Sequence, residues 1–239
     1  MLEALRTEVL EANLELVRRG LVIYTFGNAS GLSREEGLVV IKPSGVPYDR
    51  MSATDMVITD LDGNIVEGKL RPSSDLATHV ALYRAFPSIG GVVHTHSRHA
   101  TAWAQARREI PCFGTTHADY FNGAIPVTPP LTPQEIETDY EANTGVAIIR
   151  RLEGHHPLHS PAVLVAGHAP FCWAKTVGDA AHLAVILEEV AAMAWQTVTI
   201  NPDAEPISDA LLKKHHFRKH GPDAYYGQAS TLTFGPGQS

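Results

Sequence analysis

The stretch Gly90-Gly91-Val92-Val93-His94-Thr95-His96 joins a short apolar run to two histidines one residue apart. In a β-strand, residues i and i+2 point to one face, so a strand over 92–96 aims both imidazoles at one point. Two imidazoles on a rigid strand suit a borderline cation such as zinc, which takes four ligands and accepts nitrogen readily. A third histidine, His168, ends a second apolar run that begins at Pro161. Three histidines and an open fourth position describe a catalytic zinc site. A structural site would normally close with cysteine, and Cys112 and Cys172 are far apart and in no CxxC pairing. A histidine pair on a strand often only satisfies local hydrogen bonds, and among 13 histidines some pairs arise by accident. The setting favours a metal, because a polar turn, Ser97-Arg98, follows the strand, and α/β proteins build their sites at strand ends.

Outward from this stretch, the chain alternates helical and extended patterns. Leu2, Leu5, Val9, Ala12 and Leu16 recur at helical spacing, and Gly20 stops that helix. Leu21–Phe26 and Leu38–Ile41 read as strands, and Asp62-Gly63 as the turn of a hairpin between Val57–Leu61 and Ile65–Val66. Ser73-Ser74-Asp75 opens a helix that runs through Phe86. Short strands are expected at Ile110–Cys112, Ala124–Val127, Gly145–Ile149 and Val163–Val165. Thr132-Pro133-Gln134-Glu135 is a capping box with proline at the first helical position, and its helix ends near Asn143. A long helix follows Asp179, and a last one covers Leu211–Lys219. The expected fold is α/β: one three-layer domain with a mostly antiparallel or mixed sheet and helices on both faces. That domain is expected to span 1–228, with 229–239 as a small, polar tail.

Composition narrows the function. The 239 residues carry 44% hydrophobic and 19% charged side chains and a formal charge of −7, with a pI near 6.0. No basic stripe invites nucleic acid, no run of about 18 apolar residues suggests a membrane span, and two cysteines without framework spacing fit a reducing compartment. A cytoplasmic protein is expected, with neither nucleic acid nor membrane as partner.

Three segments of small polar residues suit an anion: Gly27-Asn28-Ala29-Ser30-Gly31, Lys42-Pro43-Ser44-Gly45 and Pro72-Ser73-Ser74. Small residues let backbone amides approach closely, and hydroxyls at a helix N-terminus favour phosphate. Each is also an ordinary turn or cap, and none alone is a known phosphate motif. Asp75, early in its helix, is favoured by the helix dipole as well as by a catalytic role, and both readings stay open. Gly114–Tyr120 places polar groups between two apolar strands, and Tyr225-Tyr226 puts aromatics near a chain end.

Taken together, these segments resemble the class II aldolase/adducin family. The correspondence runs through Gly27-Asn28-Ala29-Ser30, Ile41–Val46, Pro72-Ser73-Ser74-Asp75, Ala85–Gly91, His94–Thr101, Gly114–Phe121, Arg218–Gly221 and Tyr225-Tyr226-Gly227-Gln228. Thr115-Thr116-His117-Ala118-Asp119-Tyr120 and Tyr225-Tyr226-Gly227-Gln228 look specific to its pentulose-phosphate epimerase branch. The resemblance implies Zn(2+), or another divalent metal, on His94, His96 and His168. It implies phosphate held by Ser44, Gly45, Ser73 and Ser74, with Asn28 and Lys42 close to the substrate. Asp119 and Tyr226 match residues implied in acid/base work across a subunit boundary, and Asp75, Thr115, Glu141 and His215 match further active-site positions. One departure is Ala169 after His168, where related epimerases tend to have glycine. It is sterically mild unless the backbone there needs a positive φ.

The implied reaction interconverts L-ribulose 5-phosphate and D-xylulose 5-phosphate by breaking and re-forming the C3–C4 bond, in a homotetramer with active sites at subunit interfaces. The alternatives are an aldolase acting on a deoxysugar phosphate, an epimerase for another pentulose 5-phosphate, and a non-catalytic adducin-like interaction module.

Overall fold

The computed structural model describes residues 2–221 and 224. A seven-stranded sheet, all of whose neighbours pair antiparallel, runs in the order β4-β3-β2-β1-β5-β7-β6. Its strands are β1 (Asn28–Ser33), β2 (Leu38–Ile41), β3 (Val57–Asp60), β4 (Ile65–Glu67), β5 (Gly91–His94), β6 (Ala162–Leu164) and β7 (Pro170–Ala174). The helices are α1 (Glu3–Arg18), α2 (Leu76–Ala85), α3 (Arg98–Gln105), α4 (Thr115–Ala118), α5 (Pro133–Arg151), α6 (Val177–Ile200) and α7 (Asp209–His220).

Alternation along the strands divides the apolar residues into two cores. Ala29, Val40, Ile58, Val93 and Cys172 face α1, α3 and α6. Val39, Ile41, Val57, Val92, Phe171 and Trp173 face α2 and α5. The expected three-layer arrangement is therefore present, with purely antiparallel pairing. Trp173 is fully buried, and its truncation to alanine would cost about 3–5 kcal/mol. Helix α6 is long and apolar enough to cross a membrane by length and composition, but it lies against α1, α3, β5 and β7 as a core element.

Several elements differ from the sequence expectation. Leu21–Phe26 is a loop. The chain turns at Tyr24 (φ 54°) and Gly27 (φ 81°), and Ile23, Tyr24 and Phe26 are exposed. The strand is instead Asn28–Ser33, which takes in most of the Gly27–Gly31 segment expected to be a turn. Its small residues fit it to a central position: a Cβ on Gly31 would lie 2.8 Å from Leu5 Cδ1, so α1 rests directly on the strand. Asn13 on α1 supports it, donating to the Ala29 carbonyl and accepting from the Ala29 amide.

Gly145–Ile149 is helical, because α5 continues to Arg151. Its Gly145 packs against α2, where an added Cβ would come within 2.7 Å of Ala81. Ile110–Cys112 and Ala124–Val127 form only isolated bridges, Ile110 to Ile125 and Val127 to Leu164. The Gly114–Tyr120 segment contains the short helix α4. Strand β7 has no counterpart in the sequence expectation. The capping box at Thr132 is present, with Thr132 and Glu135 bonded reciprocally. The segment 229–239 and Tyr226 lie outside the described residues.

Candidate active site and metal centre

The sheet itself lines up the first groups of the site. Asn28 on β1 is the direct cross-strand partner of His94 on β5, and His94 is the partner of Phe171 on β7. All three share the face covered by α2. The His94 ring stacks on Phe171 with centroids 4.2 Å apart. Its Nδ1 donates to the Pro170 carbonyl at 2.9 Å. That bond fixes the tautomer, so Nε2 is left as a lone pair. His96 lies two residues past the strand end, not within the strand, yet its Nε2 comes within 3.0 Å of His94 Nε2.

His168 arrives from the β6–β7 turn, which is closed by Val165 N donating to Ala169 O and His168 N donating to Val165 O. Ala169 is fully buried and is not among the residues with positive φ, so alanine fits there without backbone strain. One nitrogen from each of His94, His96 and His168 lies within 4.8 Å of the others.

These three donors fit a divalent cation. Burial pushes the His94 imidazole down to about 3, and burial also lowers His96 and His168. The rings are therefore neutral at physiological pH and offer lone pairs, as metal ligation requires.

Asp75 stands beside them at the start of α2. It is the helix N-cap by position, but its side chain makes no capping bond. Its Oδ2 instead accepts from Asn28 Nδ2 at 2.6 Å. Burial pushes the Asp75 carboxyl up, but His94, His79 and the Asn28 amide outweigh it and hold it below its ordinary range. The other amide atom of Asn28, Oδ1, is buried and has no hydrogen-bond partner among the described residues.

A cleft of about 390 Å³ collects these groups. Asn28, Lys42, Ser44, Gly45, Ser73, Ser74, Asp75, His94, His96, Glu141 and His168 all line it. The Lys42 and Ser73 loops are tied together, Ser73 N donating to Lys42 O and Ser44 N to Arg71 O, each at 2.9 Å. Lys42 is buried over the Tyr48 ring, with Nζ donating to the carbonyls of Thr25 and Pro43. Burial pushes its ammonium down to about 8.

Thr115, Asp119 and His215 are not in this cleft. Asp119 follows α4 and is held by α7. Its carboxylate accepts from Arg218 Nε at 3.1 Å and Nη2 at 2.7 Å and pairs with His215 Nδ1 at 3.0 Å, while Lys219 Nζ lies 3.8 Å away. Burial raises the Asp119 carboxyl, and the hydrogen bonds from Arg218 and His215 with the charges of Lys219 and Arg218 more than reverse that, leaving it below its ordinary range.

Sequence reasoning overlooked Thr25, Phe26 and Tyr140, which also line the cleft. Phe26 lies 5.8 Å from the His96 ring. Tyr140 sits in a helix whose apolar periodicity gives no hint of a site. Only the acidic pair around it, Asp139 and Glu141, sets it apart.

The comparisons agree with this geometry. The profile of the Class II Aldolase and Adducin N-terminal domain matches residues 7–195. L-ribulose-5-phosphate 4-epimerase UlaF of Salmonella paratyphi A is 57% identical over 227 residues, covering 95% of this chain and all of the relative, and its counterpart in Salmonella typhi matches equally. Among solved structures, an L-fuculose 1-phosphate aldolase superposes with a TM-score of 0.78 at 25% identity, over 91% of this chain and 96% of that one. The L-fuculose-1-phosphate aldolase of Thermus thermophilus shares the fold, with a TM-score of 0.67 at 24% identity over 85% and 98% of the two chains. Sequence, fold and the three-histidine centre thus converge, and the chain belongs to the class II aldolase and adducin family.

Proposed function

We propose that the protein is a metal-dependent 4-epimerase that interconverts L-ribulose 5-phosphate and D-xylulose 5-phosphate. The observation that carries this reading is the single cleft in which three neutral imidazoles meet a carboxylate, a buried ammonium and two hydroxyl-bearing loops. The match to curated epimerases along their whole length supports the same reaction.

The substrate dictates what the cleft must do. C4 of a 2-ketose carries no acidic hydrogen, so inversion by simple deprotonation is poor chemistry. Breaking the C3–C4 bond is the alternative. A base takes the C4 hydroxyl proton, the C4–O bond becomes a carbonyl, and the C3–C4 electron pair moves toward C2 as an enediolate. Glycolaldehyde phosphate turns over, the enediolate attacks its other face, and the new C4 oxygen takes up a proton. A divalent cation on His94, His96 and His168, with zinc the fitting choice for three nitrogens, would supply Lewis acidity to the developing negative charge.

The protein groups divide the remaining work. Asp75 is ionised and close to His94, so it is placed to hold or receive a proton at the reacting end. Asn28 Oδ1 is an acceptor for a substrate hydroxyl. Lys42, Ser44, Gly45, Ser73 and Ser74 bind the phosphate and keep the aldehyde from escaping. Glu141 borders the same space.

The second face of the aldehyde needs its own acid/base group. We assign it to Asp119, with Thr115 and His215 beside it, and to Tyr226, all of a neighbouring subunit in a cytoplasmic homotetramer. The position of Asp119 just after α4, held by Arg218 of α7 and outside its own chain's cleft, supports the shared site.

Incubating the metal-loaded enzyme with L-ribulose 5-phosphate tests the reading. D-xylulose 5-phosphate should form without release of glycolaldehyde phosphate. Steady release of a free aldehyde from a deoxysugar phosphate, with no epimer formed, would identify an aldolase instead.

A further inference from the structure

Among the described residues, only one of the three imidazoles has its outer nitrogen anchored by a side chain. His94 Nδ1 is held by a backbone carbonyl, that of Pro170. His168 Nδ1 meets the Tyr140 hydroxyl at 3.1 Å. His168 also stands on a turn, after Gly167 at φ 74°, not on the sheet. Its ring orientation therefore depends on what lies behind it.

Helix α5 is shaped to put Tyr140 there. It is broken at Asp139, whose φ of −157° and ψ of 87° are extended. Asp139 then caps the second half, its Oδ1 accepting from Ala142 N at 3.1 Å, three residues on as in a standard N-cap. The restarted helix is pinned to α2, where Thr78 Oγ1 donates to the Glu141 carbonyl at 2.6 Å. Thr144 Oγ1 donates to the Tyr140 carbonyl. An unbroken helix through Asp139 would rotate Tyr140 and Glu141 about its axis by a different amount.

Tyr140 stays a neutral phenol. Burial raises its hydroxyl, and the Asp75 and Glu141 carboxylates raise it further. A phenol oxygen accepts a hydrogen bond from an imidazole N–H.

We propose that Tyr140 is a positioning residue of the metal centre: its hydroxyl accepts from His168 Nδ1 and turns the opposite nitrogen, Nε2, toward His94 and His96, and the break at Asp139 delivers it. Outer hydrogen bonds of this kind fix tautomer and ring orientation in metal sites, and losing one typically weakens metal binding about 10–100-fold. The inference rests on the metal reading of the three histidines. It adds a ligand-orienting role to a residue outside the three-histidine donor set.

Tyr140→Phe keeps the ring and removes the hydroxyl. Zinc affinity, measured by competition with a chromogenic chelator, should fall about 10–100-fold, and the visible spectrum of the Co(2+)-loaded protein should change. The melting temperature of the metal-free protein should stay near wild type, which a merely structural hydroxyl would lower. In the metal-free protein, ¹⁵N chemical shifts should report the Nδ1–H tautomer of His168 in wild type and a mixture in Tyr140→Phe. Asp139→Ala should weaken zinc in the same direction, and Asp139→Asn, which keeps the cap, should restore it. Wild-type zinc affinity and an unchanged Co(2+) spectrum in Tyr140→Phe would overturn the role of Tyr140 while leaving the metal site intact. A wild-type protein that binds no metal would overturn both.

Discussion

The Asn28 amide donates to Asp75 Oδ2 at 2.6 Å, joining the start of β1 to the start of α2 across the floor of the cleft. The bond explains why an N-cap carboxylate does no capping. Asp75→Asn should therefore spare the fold. It should lower kcat by about 10²–10⁴, the range for loss of a positioned acid/base group, with a melting temperature close to wild type. A drop in melting temperature with kcat preserved would return Asp75 to a purely structural role.

Ser74 is exposed and lines the cleft, and the helix it precedes is capped by position at Asp75. Ser74→Ala should raise KM for the phosphorylated sugar. It should not show the loss of about 1 kcal/mol expected when a helix cap is removed. Steady-state kinetics alongside thermal melts separate the two.

Burial lowers Lys42 to about 8, so its charge is lost as pH rises through that value in the free enzyme. Phosphate binding favours the charged form. Above about pH 8, kcat/KM should decline because substrate binds more weakly, and saturating substrate should push the decline to higher pH. In Lys42→Met that limb should be absent and KM high at every pH. A limb that persists in Lys42→Met would belong to another group.

The closeness of His94 and His96 is legible in the sequence from their spacing after an apolar run, although the strand ends at His94 and His96 lies two residues beyond it. The small-residue segments around Asn28, Ser44 and Ser73 stand out in the sequence too, and all three line one cleft. What escaped notice depended on long-range packing. Asn28–Ser33 looks like a loop until α1 is laid on Gly31 and Asn13 meets Ala29. Val146, Ile148 and Ile149 look like a strand until Gly145 is seated on α2. Tyr140 has no local signature beyond its acidic neighbours, because its contact with His168 exists only through a helix break and a turn 28 residues away in sequence.

Buried neutral histidines make stability depend on acidity. Burial lowers His79, His117 and His216 to about 4, from an ordinary value of 6.5. For His216, neighbouring His220 and His159 push in the same direction. Between pH 6.5 and 4 the unfolded chain binds more protons than the folded one, so stability is full above 6.5 and is lost as pH falls toward 4. The urea midpoint of metal-free protein should drop steadily across that window, and less steeply in His216→Phe. A flat profile would mean that these rings are protonated in the fold.

Mixing inactive His96→Ala with inactive Tyr226→Phe should restore part of the activity, because some interfaces then pair an intact metal site with an intact tyrosine. Native mass spectrometry checks that subunits exchange. No recovery after confirmed exchange would put both groups in one chain's site.

The central claim is that three histidines hold the metal on which epimerisation depends. Its most direct test is metal content and D-xylulose 5-phosphate formation measured on the same samples: wild type as loaded, wild type after chelation, and His96→Ala. The account predicts about one divalent ion per chain in the loaded wild type. Activity should vanish with the ion and return on re-addition, and His96→Ala should lack both while remaining folded. Full epimerisation by the chelated protein, or by metal-free His96→Ala, would contradict it.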